Sequence, residues 1–120
     1  MSSHDYHQNP QAQIDYYVNK RDNRWIMPAH SYNLLQNITL SNGTIVTTEI
    51  IFIDTPILCP TETKETSTGG IHEVTEAQSS AELAKIEGML SASQAHWLLV
   101  AGHYTSKRRI PCLLSYLSKR

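Results

Sequence analysis

The chain has no apolar run near the length of about 20 residues that a bilayer crossing needs, so no helical membrane span is predicted. Its opening stretch, MSSHDYHQN, has neither the basic start nor the apolar centre of a secretory leader. An excess of one charge is also missing: 10 basic residues stand against 11 acidic ones, a net charge of -1. That balance gives no electrostatic reason to expect nucleic acid or an anionic bilayer as a partner. Several chemical signatures are absent as well. There is no Cys-x-x-Cys pair, no His-Glu-x-x-His, no phosphate-cradling glycine pattern and no Gly-x-Ser-x-Gly elbow. Any function must therefore come from a site assembled in the fold.

At 120 residues the chain is long enough to bury one core and not two, so a single domain over 1–120 is expected. The charges are unevenly placed. Residues 62–87 carry Glu62, Glu65, Glu73, Glu76, Glu82 and Glu87 against Lys64 and Lys85, while the tail after Thr105 has basic residues only. Runs of this kind mark solvated faces more often than partners. The two cysteines, Cys59 and Cys112, fit either a disulfide or two buried thiols. Two glycosylation sequons, at Asn37 and Asn42, tilt the balance towards an oxidising, secretory setting. A targeting segment would then lie outside this sequence.

Asn42-Gly43 suits a two-residue hairpin turn, since both central positions can take positive φ there. YNLLQNITL before it reads as a strand, and TIVTTEIIFID after it as a second one, buried on both faces at Ile50 to Ile53. Pro56 and Pro60 end that strand, and 60–72 reads as a polar, exposed excursion. Ser79-Ser80-Ala81-Glu82 has capping-box spacing, and Leu83, Ile86 and Leu90 follow at helical intervals, predicting a helix over about 77–92. AHWLLVAG then reads as another buried strand. The order strand, helix, strand is that of a crossover joining two parallel strands, so the fold class is α/β.

Open α/β sheets place ligand chemistry just outside the carboxyl ends of their strands. His103 and Asp54 both fall at such ends. Gly102, before the histidine, permits backbone conformations that other residues avoid, whereas a surface histidine capping a strand is the plainer alternative. Asp54, before Thr-Pro, most simply organises a turn. A second constellation, His4-Asp5 with His7 nearby, is what an imidazole held in one tautomer beside an anionic substrate requires.

Taken in order, SHDYHQNPQAQIDYY, NRWIMP, IIFIDTPILC and WLLVAGHY resemble successive blocks of the tartrate-resistant, purple acid phosphatases, members of the calcineurin-like metallophosphoesterases. The resemblance covers residues 3–104 and leaves 105–120 as a divergent tail. It implies a metallophosphoesterase sandwich, here partial, with a mixed β-sheet and flanking helices around a dinuclear iron centre that hydrolyses phosphate monoesters. By the same resemblance His103 is a metal ligand, His4 contacts the substrate phosphate with Asp5 as its orienting partner, and Cys59 pairs with Cys112. Family members are secreted or lysosomal. Ser3 stands where the family has a metal-binding asparagine. The family's Gly-Asp-Asn-Phe-Tyr and Gly-His-Asp-His blocks are not found in these 120 residues. The expectation is therefore an incomplete domain that, in isolation, is inactive and holds no iron pair. A non-catalytic secretory glycoprotein or binding fragment is the alternative.

Overall fold

The chain is described here by a computed structural model covering residues 9–58 and 74–103. The predicted excursion at 60–72 lies outside those residues. Helix α1 spans Gln11–Val18, strand β1 Tyr32–Thr39, strand β2 Ile45–Ile53, the single-turn helix α2 Thr55–Leu58, helix α3 Glu76–Ala92 and strand β3 Trp97–Gly102. The strands form one sheet in the order β1-β2-β3, with β1 antiparallel and β3 parallel to β2. The predicted α/β class and crossover are both present: β2 and β3 run parallel, with α3 between them in the chain. Among the described residues there is one sheet and no second one to complete a sandwich. No helix among them is long and apolar enough to cross a membrane.

The hairpin turn differs from the predicted two-residue form. Leu40 and Thr44 pair outside it, with the Leu40 N–H donating to the Thr44 carbonyl at 2.8 Å, and the Gly43 N–H donates back to the Leu40 carbonyl at 2.9 Å. The loop is thus three residues, Ser41 to Gly43, and Gly43 is the member at positive φ, +80°. This is a β-turn closed by a left-handed glycine, the next most common hairpin connection after the two-residue one. Asn42 favours it by accepting the Thr44 N–H on its side-chain oxygen at 3.0 Å. The consequence is a register one residue away from the predicted one, with Thr39 opposite Ile45 and Tyr32 opposite Phe52.

Helix α3 begins one turn before its predicted cap. Thr75 and Gln78 form the capping box: the Gln78 N–H donates to the Thr75 hydroxyl at 3.2 Å, and the Thr75 N–H donates to the Gln78 side chain at 2.9 Å. Ser79 lies inside the helix, where its hydroxyl donates to the Leu58 carbonyl at 3.2 Å and ties α3 to α2. Helix α1 was not foreseen, because Ile14 is the buried residue of its eight and apolar periodicity is weak. Its start does carry a signal. Asn9 accepts the Gln11 N–H on its side chain at 3.1 Å, and Pro10 follows with a helical φ of −63°.

The core lies on one face of the sheet. Ile51 and Ile53 of β2 pack with Ile57 and Leu58 of α2 and Ile86 of α3, flanked by Val74, Leu83, Met89 and Leu90. Burial of each such side chain contributes about 1.5–3 kcal/mol. Strand β2 is therefore buried on this face and only half-buried on the other, at Ile50 and Phe52. Phe52 there stacks on Tyr32 across the hairpin, with ring centroids 4.9 Å apart. The expectation of a buried β3 is corrected more strongly. Trp97 to Val100 are all exposed, Trp97 at 64 %, and among the described residues β3 ends the sheet.

Gly102 is needed for space and not for backbone freedom. A Cβ at this position would stand 2.8 Å from the Cγ2 methyl of Thr55, which is itself buried, and 3.6 Å from the Ile53 carbonyl oxygen. The glycine lets the end of β3 lie against the β2–α2 junction. Replacement of Gly102 by Ala is expected to lower stability by about 1–3 kcal/mol, the usual range for overpacking. The loss should shrink when Thr55→Ser removes the opposing methyl. Urea unfolding of the single and double variants checks this, and equal losses in both backgrounds would contradict it.

Glu49, buried in mid-β2, is held by hydrogen bonds from Ser93, which leads towards β3, and Asn33 of β1. These bonds, the Ser93 one foremost, lower its pKa from the ordinary value of 4.5. A depressed carboxylate contributes stability that is present above the ordinary value and lost as pH falls through the folded one. The thermal midpoint of the chain is expected to fall in that acid window, and to fall less for Glu49→Gln. Parallel pH curves for the two would show that Glu49 has no part in acid sensitivity.

Candidate functional site

The carboxyl ends of the parallel strands β2 and β3 lie side by side, with Ile53 opposite Gly102. Asp54 and His103 are the next residues in each strand. On the antiparallel side, the register Tyr32 opposite Phe52, continued two residues outward, brings His30 opposite Asp54. Three chemically capable side chains from distant parts of the sequence thus meet the same end of one sheet.

His30 Nδ1 lies 2.7 Å from Asp54 Oδ2. Asp54 has no exposed surface, while the His30 side chain keeps 26 % of its own. Against an ionised carboxylate, which can only accept, Nδ1 is the donor of this bond. The arrangement is braced. The Asp54 N–H donates to the Ser31 hydroxyl at 3.0 Å, and Lys85 Nζ of α3 donates to the Ser31 carbonyl. Ser31, fully buried, therefore fixes the chain at His30 both to the end of β2 and to α3. Partners of this kind set the orientation of an imidazole.

A cleft of about 290 Å³ opens here. Tyr32, Phe52 and Ala101 share one face of the sheet and line it, with Met27 and with His30 and His103. Tyr32 donates its hydroxyl to the Ile26 carbonyl at 2.9 Å, which holds the segment leading to Met27 and His30 over the sheet. Burial raises the Tyr32 phenol above its ordinary value, so it remains a donor. A larger cleft of about 570 Å³ lies between α1 and the Asp22–Trp25 segment. Its two charged groups are engaged with each other, Arg24 donating to both Asp22 carboxylate oxygens at 3.0 and 2.7 Å. The smaller cleft is the better candidate because two imidazoles line it at strand ends, one of them bonded to a buried carboxylate.

His103 is placed as expected, exposed, just past β3 and lining the cleft. Asp54 is at its strand end too, but it serves the His30 bond and not merely a turn. His30 was missed. Its separation of 24 residues from Asp54 carries no motif, and only the hairpin register relates the two. Asn37 and Asn42 are both exposed on the hairpin. His4, Asp5, Cys59 and Cys112 lie outside the described residues. Among the described residues, no three His, Cys, Asp or Glu side chains gather as they would around a metal ion. The described part of the cleft does not fit a dinuclear metal centre.

The fold and site define an α/β chain with imidazoles at the ends of parallel strands. No family model matches it. Over 102 residues it is 34 % identical to the tartrate-resistant acid phosphatase type 5 of Sus scrofa, an alignment covering 85 % of this chain. The two are distantly related. The aligned part is 28 % of the relative, so the chain spans little more than a quarter of that protein's length.

Proposed function

We propose that the chain supplies part of a site for the hydrolysis of phosphate monoesters, of the kind the relative's name describes. The observation that carries the reading is the position of His103 in a cleft at the carboxyl ends of parallel strands, within a chain related over most of its length to an acid phosphatase. Strand ends of this kind bind ligands because the backbone diverges there and side chains from neighbouring strands converge.

In this reading His103 is a metal ligand, as the resemblance implies, and His4, oriented by Asp5, contacts the phosphate and protonates the departing alcohol, as general acids of this type do. The sheet supplies position, since an imidazole held at a fixed strand end loses little freedom on binding. Because the described donors do not fit a metal pair, no step is routed through one; a dinuclear iron centre would need donors beyond them. A bridge between Cys59 and Cys112, glycans on Asn37 and Asn42, and a secreted or lysosomal destination accompany the reading.

The 120-residue chain is expected to bind phenyl phosphate at acidic pH without turning it over, with or without added iron. His4→Ala is expected to weaken that binding about tenfold, as loss of a charge-assisted hydrogen bond does. Calorimetry and an assay for released phosphate check both halves. Absence of binding, or binding indifferent to His4→Ala, would contradict the phosphoester reading. Robust turnover would contradict the idea that the chain supplies only part of the site.

A further inference from the structure

We infer that the cleft between α1 and the Asp22–Trp25 segment binds a neutral pyranose sugar, stacked in the corner of Tyr16 and Trp25 and hydrogen-bonded by the Asp22–Arg24 pair. This site shares no lining residue with the strand-end cleft and is independent of the phosphoester reading. At about 570 Å³ it falls within the range of about 300–1,000 Å³ usual for small-molecule sites.

Local turns build the corner. Helix α1 ends in a Schellman motif: the Lys20 N–H donates to the Tyr17 carbonyl at 2.9 Å and the Arg21 N–H to the Tyr16 carbonyl at 3.3 Å, with Lys20 at a φ of +51° where glycine is usual. That left-handed residue reverses the chain, and a second turn follows in which the Trp25 N–H donates to the Asp22 carbonyl at 3.2 Å. The Trp25 indole N–H can then donate to the Gln13 carbonyl at 3.1 Å, twelve residues back. Tyr16 and Trp25 meet edge to face, with ring centroids 6.4 Å apart and planes at 83°. The indole is thereby held in place before a ligand arrives, which lowers the ordering cost of binding.

The chemistry of the walls selects the ligand. Both rings keep over two-fifths of their surface in solvent, Tyr16 at 43 % and Trp25 at 42 %. Perpendicular rings form a corner and cannot sandwich a flat heterocycle, whereas the C–H-rich face of a pyranose needs one ring face and a second wall. A proline-rich peptide is disfavoured because the indole N–H that would donate to its carbonyls is given to Gln13. Charge narrows the choice further. Arg24 donates Nε and Nη2 to the two Asp22 carboxylate oxygens, so the pair is neutral as a whole and an anion meets repulsion from Asp22 along with attraction from Arg24. Arg24 also holds the Asp22 carboxyl below its ordinary 3.8, which keeps the acceptor ionised in mildly acidic solution. Of the carboxylate's about four acceptor positions, the backbone and side chain of Arg24 use three. The remaining position and the other N–H groups of the guanidinium, on a side chain 87 % exposed, set an acceptor beside donors. A sugar hydroxyl, which both donates and accepts, is complementary to such a pair.

The chain's two tryptophans, Trp25 and Trp97, supply a signal and its control. The test uses the full chain labelled with 15N-tryptophan and titrated in turn with methyl β-D-glucopyranoside, methyl β-D-galactopyranoside and methyl α-D-mannopyranoside, with the indole N–H resonances followed and Trp97→Phe assigning them. The Trp25 resonance should move saturably with at least one glycoside while that of Trp97 stays still. Arg24→Ala should raise the Kd about tenfold, the loss of a hydrogen bond to a charged group. Circular dichroism checks that this variant is folded, and Arg24→Lys, which keeps the charge without the planar fork, serves in its place if it is not. A stationary Trp25 with all three glycosides, both indoles moving alike, or unchanged affinity in the folded Arg24 variant would overturn the inference. Inorganic phosphate and an oligoproline peptide are titrated in parallel, and tighter binding of either at Trp25 would overturn the assignment to a neutral sugar. None of these results bears on the phosphoester reading, which is tested through His4.

Discussion

A carboxylate without exposed surface is a severe demand on a small protein, because taking its charge out of water costs several kcal/mol unless a partner answers it. Asp54 makes that demand, and His30 answers it at 2.7 Å. Much of the site follows from meeting it. The segment before β1 must fold back over the end of β2, Ser31 must be buried to receive the Asp54 N–H, and Lys85 must reach from α3 to hold Ser31. His30 is thereby brought to the cleft that His103 lines from the neighbouring strand.

That meeting is set some distance away, at the hairpin tip. A positive φ at Gly43 alone gives a three-residue loop, and the resulting register puts His30 opposite Asp54. The two-residue turn read from Asn42-Gly43 would have put Ser31 there instead. A slip of one residue turns every side chain of a strand to the other face. The strands themselves were legible to within a residue, because β-branched and apolar runs bounded by turn residues leave few alternatives. The turn type was not, since Asn-Gly serves both loops and the Asn42 bond to Thr44 that selects one is a side-chain detail. The missed His30 is thus the same error as the missed turn, seen at the other end of the hairpin.

The crossover and the place of His103 were legible for a related reason: a strand, helix, strand order constrains topology strongly and leaves the strand ends in known positions. The burial of β3 was not. Apolar content in Trp97 to Val100 says that something should cover the strand, but not whether the cover lies within the sheet. The glycine before His103 was rightly noticed for the wrong reason, because a close approach by the Thr55 methyl has no local signature in sequence. The distant relative, of which the chain spans little more than a quarter, supports a distant relationship to the acid phosphatases whose blocks the sequence resembles.

The account turns on whether His30 and Asp54 are energetically joined. A double-mutant cycle of His30→Ala, Asp54→Ala and the combined variant, read by urea unfolding, measures that coupling directly. The expected result is a favourable coupling of about 1–3 kcal/mol, as for a hydrogen bond to a charged group with one partner buried. Additive losses within about 0.5 kcal/mol would mean that the two side chains are neighbours without being partners, and would contradict the account.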